Sequence, residues 1–507
     1  MSNAAEILHP RPGITPSWVL VPLDEAGTTT EQHDTIGGWR LLGQRSGLPA
    51  TLMVSPNGWA LRTPPFSHEQ AWYATNADGS LRALGNDAAA VARAIGARVD
   101  PTALVDDLLI GFRPDGRSAF EGVHPCGSAK ALEYTPMSVR EIEGHSGPEL
   151  RNVGERIANA FQSDACLELT GGVDSRLLLA LGLSAGERPR KAFTIGTDAD
   201  ADVLVARQIA DQFGIEHRTV MVELDANQLV EDTRMFSARS GFVCNAAAYG
   251  WLPSVFRELA SWRTAQLSGV GGEIGEGFYY SGFDRAFARL NSPRFWLKAR
   301  VVVDGGRWAD LFEPGTFAKR LRQIAAERAE LHAPQPWRNR TDSFYTNARI
   351  HGWAIPVIRA SSAWYKPITP FLSAEYHTWA RSLTGEQMRN RAAQKELIGR
   401  LSPELAALPY AKQLARPAGG KLARKVAKAR KLAGRVLPMP TNQPEQWQET
   451  ASTLMKSVGG ADSVVDRIRL LKGVRVDRVS EVLRSDPTTS AHAIGALLSM
   501  AMAMEGL

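Results

Sequence analysis

Two short stretches of this 507-residue chain hold residue types that can handle phosphate and a divalent cation. The first is Thr170-Gly171-Gly172-Val173-Asp174-Ser175. An apolar run at 165–169 leads into it, and a leucine-rich run at 177–183 follows at once. That order predicts strand, tight loop, helix. Two glycines without Cβ atoms let the backbone approach a ligand closely. The helix start offers free N–H groups and the positive end of its dipole, which suits phosphate. Asp174 repels bare phosphate, yet it can share a magnesium ion with it. No Gly-Lys-Ser/Thr follows the glycines, so the common P-loop is excluded. The plainer alternative is a strand–helix turn in which Ser175 caps the helix. The second stretch, about a hundred residues on, is Ser268-Gly269-Val270-Gly271-Gly272-Glu273-Ile274, again after a short apolar run.

Both loops need a sheet to hold them. Strands are expected at 165–169, 191–196 and 218–224, with a helix between the last two at 202–213. Val203, Ala206, Ala210 and Phe213 share one face of that helix and Gly214 ends it. Strands alternating with helices predict an α/β unit, a doubly wound parallel sheet with its ligand at the carboxyl ends of the strands. We assign it to residues 151–415. Residues 1–150 read differently, as a β-rich α+β domain. Strands are expected near 18–23, 38–42 and 50–54, Asn57-Gly58 signals a hairpin, and helices are expected at 87–95 and 102–110. Residues 278–410 look mostly helical and are rich in arginine and aromatics. Residues 416–507 hold a cationic amphipathic stretch at 421–435, a Pro438-Met439-Pro440 break and closing helices, including an apolar one at 491–504.

Composition excludes several classes. Hydrophobic content of 44% and charged content of 22% are ordinary for a globular protein. The net charge of +6 is local: the seven Lys/Arg of 421–435, unaccompanied by any acid, outweigh the whole surplus. A nucleic-acid partner is therefore not expected. The basic stretch itself is open to several readings: a solvated face, a lid over triphosphate, a dock for an acidic peptide, or a contact with anionic lipid. Cys126, Cys166 and Cys244 are widely spaced and form no CxxC pair, which argues against a zinc site or a disulfide framework. The start of the chain has no basic, apolar signal pattern, and no window has the apolar length of a transmembrane segment. A cytoplasmic protein is the simplest expectation.

The first loop resembles the Ser-Gly-Gly-x-Asp-Ser loop of the ATP-pyrophosphatases, with Thr170 keeping the hydroxyl of the usual serine. The second resembles the Ser-Gly-x-Gly-x-Asp-Glu loop of the asparagine synthetase-like branch, with Glu273 in place of Asp and Ile274 in place of the second acid. The series Phe193-Thr194-Ile195-Gly196, Asp202, Ala206, Ala210, Gly214, His217 is similar to that branch. So are Thr369-Pro370-Phe371-Leu372-Ser373, where the family has Asp at the last position, Lys395-Glu396-Leu397-Ile398 and Leu408-Pro409-Tyr410-Ala411-Lys412. Phe120-Glu121-Gly122-Val123 resembles the close of the family's glutaminase-like domain. The chain begins Met1-Ser2, without the N-terminal cysteine that active glutaminases use, so that domain is expected to be degenerate. Cys126 is expected to be a buried structural thiol.

The resemblance implies a fold, a reaction and a set of roles. Magnesium-ATP would lie across the two loops, cradled by Thr170, Gly171, Gly172, Asp174, Ser175, Gly269, Gly271 and Gly272. The strand at Phe193 and Ile195 would meet adenine through its backbone, although both side chains read equally well as plain core. Asp174 and Glu273 would hold Mg2+. Lys412, and less strongly Lys395, would offset charge on departing pyrophosphate. A substrate carboxylate would attack the α phosphate, and an amine would then take the acyl group, releasing AMP. Val270 stands where asparagine synthetases carry Glu and β-lactam-forming synthetases carry Tyr, and valine moves no proton. The plan is similar to lasso-peptide macrolactam synthetases, which implies a precursor peptide as substrate and a leader-peptide-binding or protease partner. Two alternatives stay open: an asparagine synthase homologue using free ammonia or tailoring a polymer, and a non-catalytic nucleotide- or peptide-binding homologue.

Overall fold

The computed structural model describes residues 71–126, 152–279, 289–414 and 443–506 in full, together with the backbone of strands and a helix start within 6–62 and 130–151. The basic stretch 421–435 and the break at 438–440 lie outside the described residues.

The central sheet has five parallel strands in the spatial order Glu216–Val220, Lys191–Ile195, Cys166–Glu168, Ala265–Leu267, Lys366–Ile368. The chain enters at the middle strand, winds outward through 191–195 and 216–220, and returns to the opposite side of 166–168 with 265–267. The winding therefore reverses between Cys166–Glu168 and Ala265–Leu267, whose register pairs Cys166 with Gln266. A crevice opens at such a reversal, outside the carboxyl ends of the strands. The two glycine loops are the continuations of these two strands.

The third strand begins at Glu216, earlier than the apolar pattern suggested. Gly214, at φ +60°, ends helix Ala201–Phe213, and Ile215 N–H closes onto Ala210 O at 2.9 Å, so the extended chain starts at once. The strand's first residues are polar and partly exposed, as an edge strand allows. Helix Val173–Ser184 sits at the centre instead. Its residues are buried on nearly every side, which accounts for a composition without a polar face. It packs on helices Leu150–Gln162 and Ala392–Leu401.

The N-terminal part has two antiparallel sheets. One orders Glu6–Ile7, Leu52–Ser55, Gly58–Arg62, Lys130–Thr135 and Ser138–Glu143. The other orders Asp34–Ile36, Trp39–Gly43, Trp18–Pro22, Leu81–Gly85, Trp72–Thr75 and His124–Pro125. The expected hairpin forms with Ser55 opposite Gly58. Helices Ala88–Ile95 and Pro101–Ile110 are each capped by an aspartate, Asp87 and Asp100, and stopped by a left-handed glycine. The closing helix, Pro487–Glu505, is almost wholly buried. No helix among the described residues is long and apolar enough to cross a membrane.

Candidate nucleotide site at the strand reversal

The first loop is held by its own side chains. Thr170 N–H donates to Ser175 Oγ at 3.0 Å, and Gly172 N–H donates to Thr170 Oγ1 at 3.1 Å. Gly172, not Ser175, is the helix N-cap residue, and no side chain caps it. Ser175 lies inside the first turn and folds back on Thr170, so the simple cap reading of Ser175 does not hold. Asp202, from the first turn of the next helix, accepts from Gly171 N–H at 2.9 Å. Ala411 N–H donates to Gly171 O at 3.0 Å, which brings the Lys412 segment onto the loop. A Cβ on Gly171 would come within 2.6 Å of the Ala411 methyl, so only glycine permits this approach.

The second loop packs directly on the first. A Cβ on Gly269 would stand 2.9 Å from Asp174 Cβ, and one on Gly272 would stand 2.2 Å from Asp174 Oδ1. Gly271 has φ +94°, a conformation natural to glycine. Glu273 turns its carboxylate back to accept from Gly271 N–H at 3.1 Å. Ile274, where the related pattern has an acid, is buried in the core. Val270 is partly buried and packs against the same core.

Asp174 is the centre of the site. Arg391 donates to its Oδ2, and Gln394 Nε2 approaches its Oδ1 at 3.4 Å. The same guanidinium reaches Glu276 Oε2 through Nε at 2.8 Å and Nη2 at 2.7 Å. Gln394 also donates to Gly272 O at 2.9 Å, and Tyr376 OH donates to that carbonyl at 3.0 Å. Burial raises the Asp174 pKa, with Glu276 adding to the rise and Arg391 opposing it. Burial also raises Glu273, with Asp174 as the next cause. Tyr345 OH is buried without a hydrogen-bond partner among the described residues. Burial holds its pKa high, and Glu273 is the next cause.

The other expected residues sit less centrally. Phe193 is wholly buried beside Cys166, Val220 and Trp262, and Ile195 packs on that cluster half-buried. The Phe193 carbonyl accepts from Leu169 N–H at 2.9 Å. His217 Nε2 lies 2.8 Å from Thr194 Oγ1, so a core partner satisfies it. Lys395 is exposed, its ammonium 5.4 Å from the Tyr410 ring centroid. Lys412 is exposed next to Ala411. Ser373 is buried and caps helix Ala374–Ser382 by accepting from Tyr376 N–H at 3.2 Å, a task Asp performs equally well. Cys126, Cys166 and Cys244 are buried and form no disulfide.

No group of three His, Cys, Asp or Glu side chains among the described residues is placed to hold a metal. Asp174 and Glu273 still fit magnesium, which is commonly held by one or two carboxylates together with substrate phosphates. Sequence reasoning missed Arg391, Gln394 and Glu276, and named Asp202 only within the series similar to the family, without its bond to Gly171. Only Glu276 carried a local signal, as an acid two residues beyond Ile274.

A glycine loop on each side of a strand reversal, the first opening helix Val173–Ser184, is an arrangement suited to phosphate. Residues 160–394 match the family model described as asparagine synthase. Among solved structures the chain is similar to NMN synthetase from Francisella tularensis, at 14% identity and a TM-score of 0.18. The likeness covers 26% of this chain and 59% of that one, and is too slight to bear on the activity. No curated protein sequence matches the chain.

Proposed function

We propose that this protein is an ATP-dependent carbon–nitrogen ligase that activates a carboxylate as its acyl-adenylate and joins it to an amine. The observation that carries this reading is the packing of Gly269 and Gly272 against Asp174 at the strand reversal. It places one acid, two glycine loops and a helix N-terminus around one point. In the proposed reaction a substrate carboxylate oxygen attacks the α phosphorus and the bond to the β-phosphate oxygen breaks. The amine then attacks the acyl carbon, AMP leaves, and the amine gives up a proton. Magnesium, when bound, would screen the phosphate charge. Asp174 and Glu273 would hold it, the backbone of Gly171, Gly172 and Gly271 would face phosphate, and Lys412 would offset charge as pyrophosphate departs.

The substrate we propose is a peptide closed into a macrolactam, as in lasso-peptide synthetases, with a precursor peptide delivered by a leader-binding partner. The departures from the related pattern at Val270 and Ile274, both packed against apolar core, support an amine acceptor other than that of asparagine synthetases. The test is ATP–pyrophosphate exchange with the purified full chain and peptides carrying a side-chain or terminal carboxylate. Asp174→Ala should abolish exchange and leave the circular dichroism spectrum unchanged. Full exchange in that variant would sink the assignment of the loop, and release of ADP and phosphate instead of AMP would sink the adenylate.

A further inference from the structure

Arg391 holds Asp174 where magnesium would be needed. Its Nη1 is on Asp174, while Nε and Nη2 grip Glu276. The other Asp174 oxygen faces Gln394 and lies so close to Gly272 that a methyl there would not fit. The Arg391 side chain is only 15% exposed. Magnesium wants oxygen ligands in a near-octahedral shell and tolerates no cation within it. An ion that takes Asp174 Oδ2 as a ligand therefore competes with the guanidinium there.

Resting on the nucleotide reading above, we propose that Arg391 is a pyrophosphate-binding residue, stored on Asp174 and Glu276 until magnesium takes Asp174 over. Once displaced, the fork stands beside the two glycine loops with donors unpaired. The anion within reach is the β,γ end of the nucleotide, and a planar fork suits phosphate bidentately. The backbone is built for such a change. Asn390 and Arg391 are consecutive non-glycine residues in the left-handed region, at φ +54° and +60°. Left-handed non-glycine residues are costly and persist where surrounding contacts over-determine them, often at switch points. They form the pivot just before helix Ala392–Leu401, which also carries Gln394, and the buried Oε1 of Gln394 has no hydrogen-bond partner among the described residues. A purely structural brace would pin helix to loop and have no part in phosphate binding.

The experiment uses the full chain, with inorganic pyrophosphate plus magnesium as one probe, read by calorimetry, and Mn2+ alone as the other, read by electron paramagnetic resonance. Arg391→Gln should weaken pyrophosphate binding by roughly tenfold or more, since it removes charge-assisted hydrogen bonds. The same variant should tighten Mn2+ binding, because Asp174 is released. Arg391→Lys should recover part of the pyrophosphate affinity. Unchanged pyrophosphate affinity, or unchanged or weaker Mn2+ binding, in a folded Arg391→Gln protein overturns the proposal. Should that variant fail to fold, Glu276→Gln decides: it frees one anchor of Arg391 and should tighten pyrophosphate, and no gain overturns the idea. A wild-type protein that binds neither pyrophosphate nor ATP would instead overturn the nucleotide reading itself.

Discussion

Gly272 shows how much of this site depends on an absent atom. The two loops touch because Asp174 can lie against bare backbone, with Oδ1 only 2.2 Å from where a Cβ would stand. Gly272→Ala must push the second loop away or rotate Asp174 off its partners. We expect it to abolish nucleotide-dependent exchange and to lower the melting temperature, because Gly272 is buried and its carbonyl accepts from Gln394 and Tyr376. Retention of wild-type exchange would show that the two loops need not touch. Lys412 is a contrasting case. It is exposed, and only its neighbour Ala411 is fixed on Gly171. Lys412→Ala should lower kcat and leave the KM for ATP nearly unchanged, because the charge is needed when pyrophosphate departs. A change in KM alone would assign the lysine to ground-state binding. The glycines and Asp174 were legible because loop chemistry is compact in sequence. Arg391 and Gln394 were not, because they reach Asp174 across 217 and 220 residues, and a lone Arg or Gln carries no local signal.

At the scale of elements, helix Val173–Ser184 connects the first glycine loop to the Lys412 segment through one side chain. Arg176 is fully buried, and its guanidinium donates to Leu405 O at 3.2 Å, Leu408 O at 2.8 Å and Pro409 O at 2.7 Å. It also lies 4.0 Å from the Tyr410 ring centroid. Arg176→Met keeps the bulk and strips the donors, leaving carbonyls unpaired, so a loss of about 2–3 kcal/mol is expected. Because the segment that carries those carbonyls runs directly into Ala411 and Lys412, exchange should fall as well, even at temperatures where the variant is folded. Urea denaturation together with kinetics would separate the two effects, and a variant destabilised but fully active would break the link. The alternation of strand and helix made this sheet readable, since apolar runs and terminal glycines repeat the same physical pattern. The edge strand Glu216–Val220 was read late for the opposite reason: it is half solvent-facing and its apolar signal is weak.

At the scale of the whole molecule, residues 71–126 are tied to the rest of the described chain. One hydrophobic cluster runs from Trp72 to Ala503. Trp72 Nε1 donates to Arg239 O at 3.1 Å, and Arg320 grips Asp106 with Nε at 2.6 Å and Nη2 at 2.9 Å. Arg113 is fully buried. It pairs with Asp107 at 2.8 Å and donates to Gly241 O at 3.1 Å and Phe242 O at 2.6 Å. No sequence pattern announced this joint, because each partner is an ordinary surface residue type until the fold brings it inside. Burial pushes the Asp107 carboxyl up to about 6, against the pull of Arg113. An acid whose folded pKa lies above its unfolded value contributes stability that is fully present below the unfolded value and is lost as pH rises through the folded one. This group's contribution should therefore decline between about pH 4 and about pH 6. Arg113→Ala removes the pull, leaves a buried carboxylate unpaired, and should cost about 3–5 kcal/mol near neutral pH. Without Arg113 the carboxyl titrates higher still, so at about pH 5 it is neutral and the penalty should shrink. Denaturant unfolding of wild type and Arg113→Ala at about pH 5 and about pH 8 would measure both costs. An equal cost at the two values would show that Asp107 does not answer to Arg113. Because the joint links helix Pro101–Ile110 to the end of helix Ala226–Ser240, the variant should still unfold in one transition at a lower midpoint, whereas two separate transitions would mean that residues 71–126 fold apart from the rest.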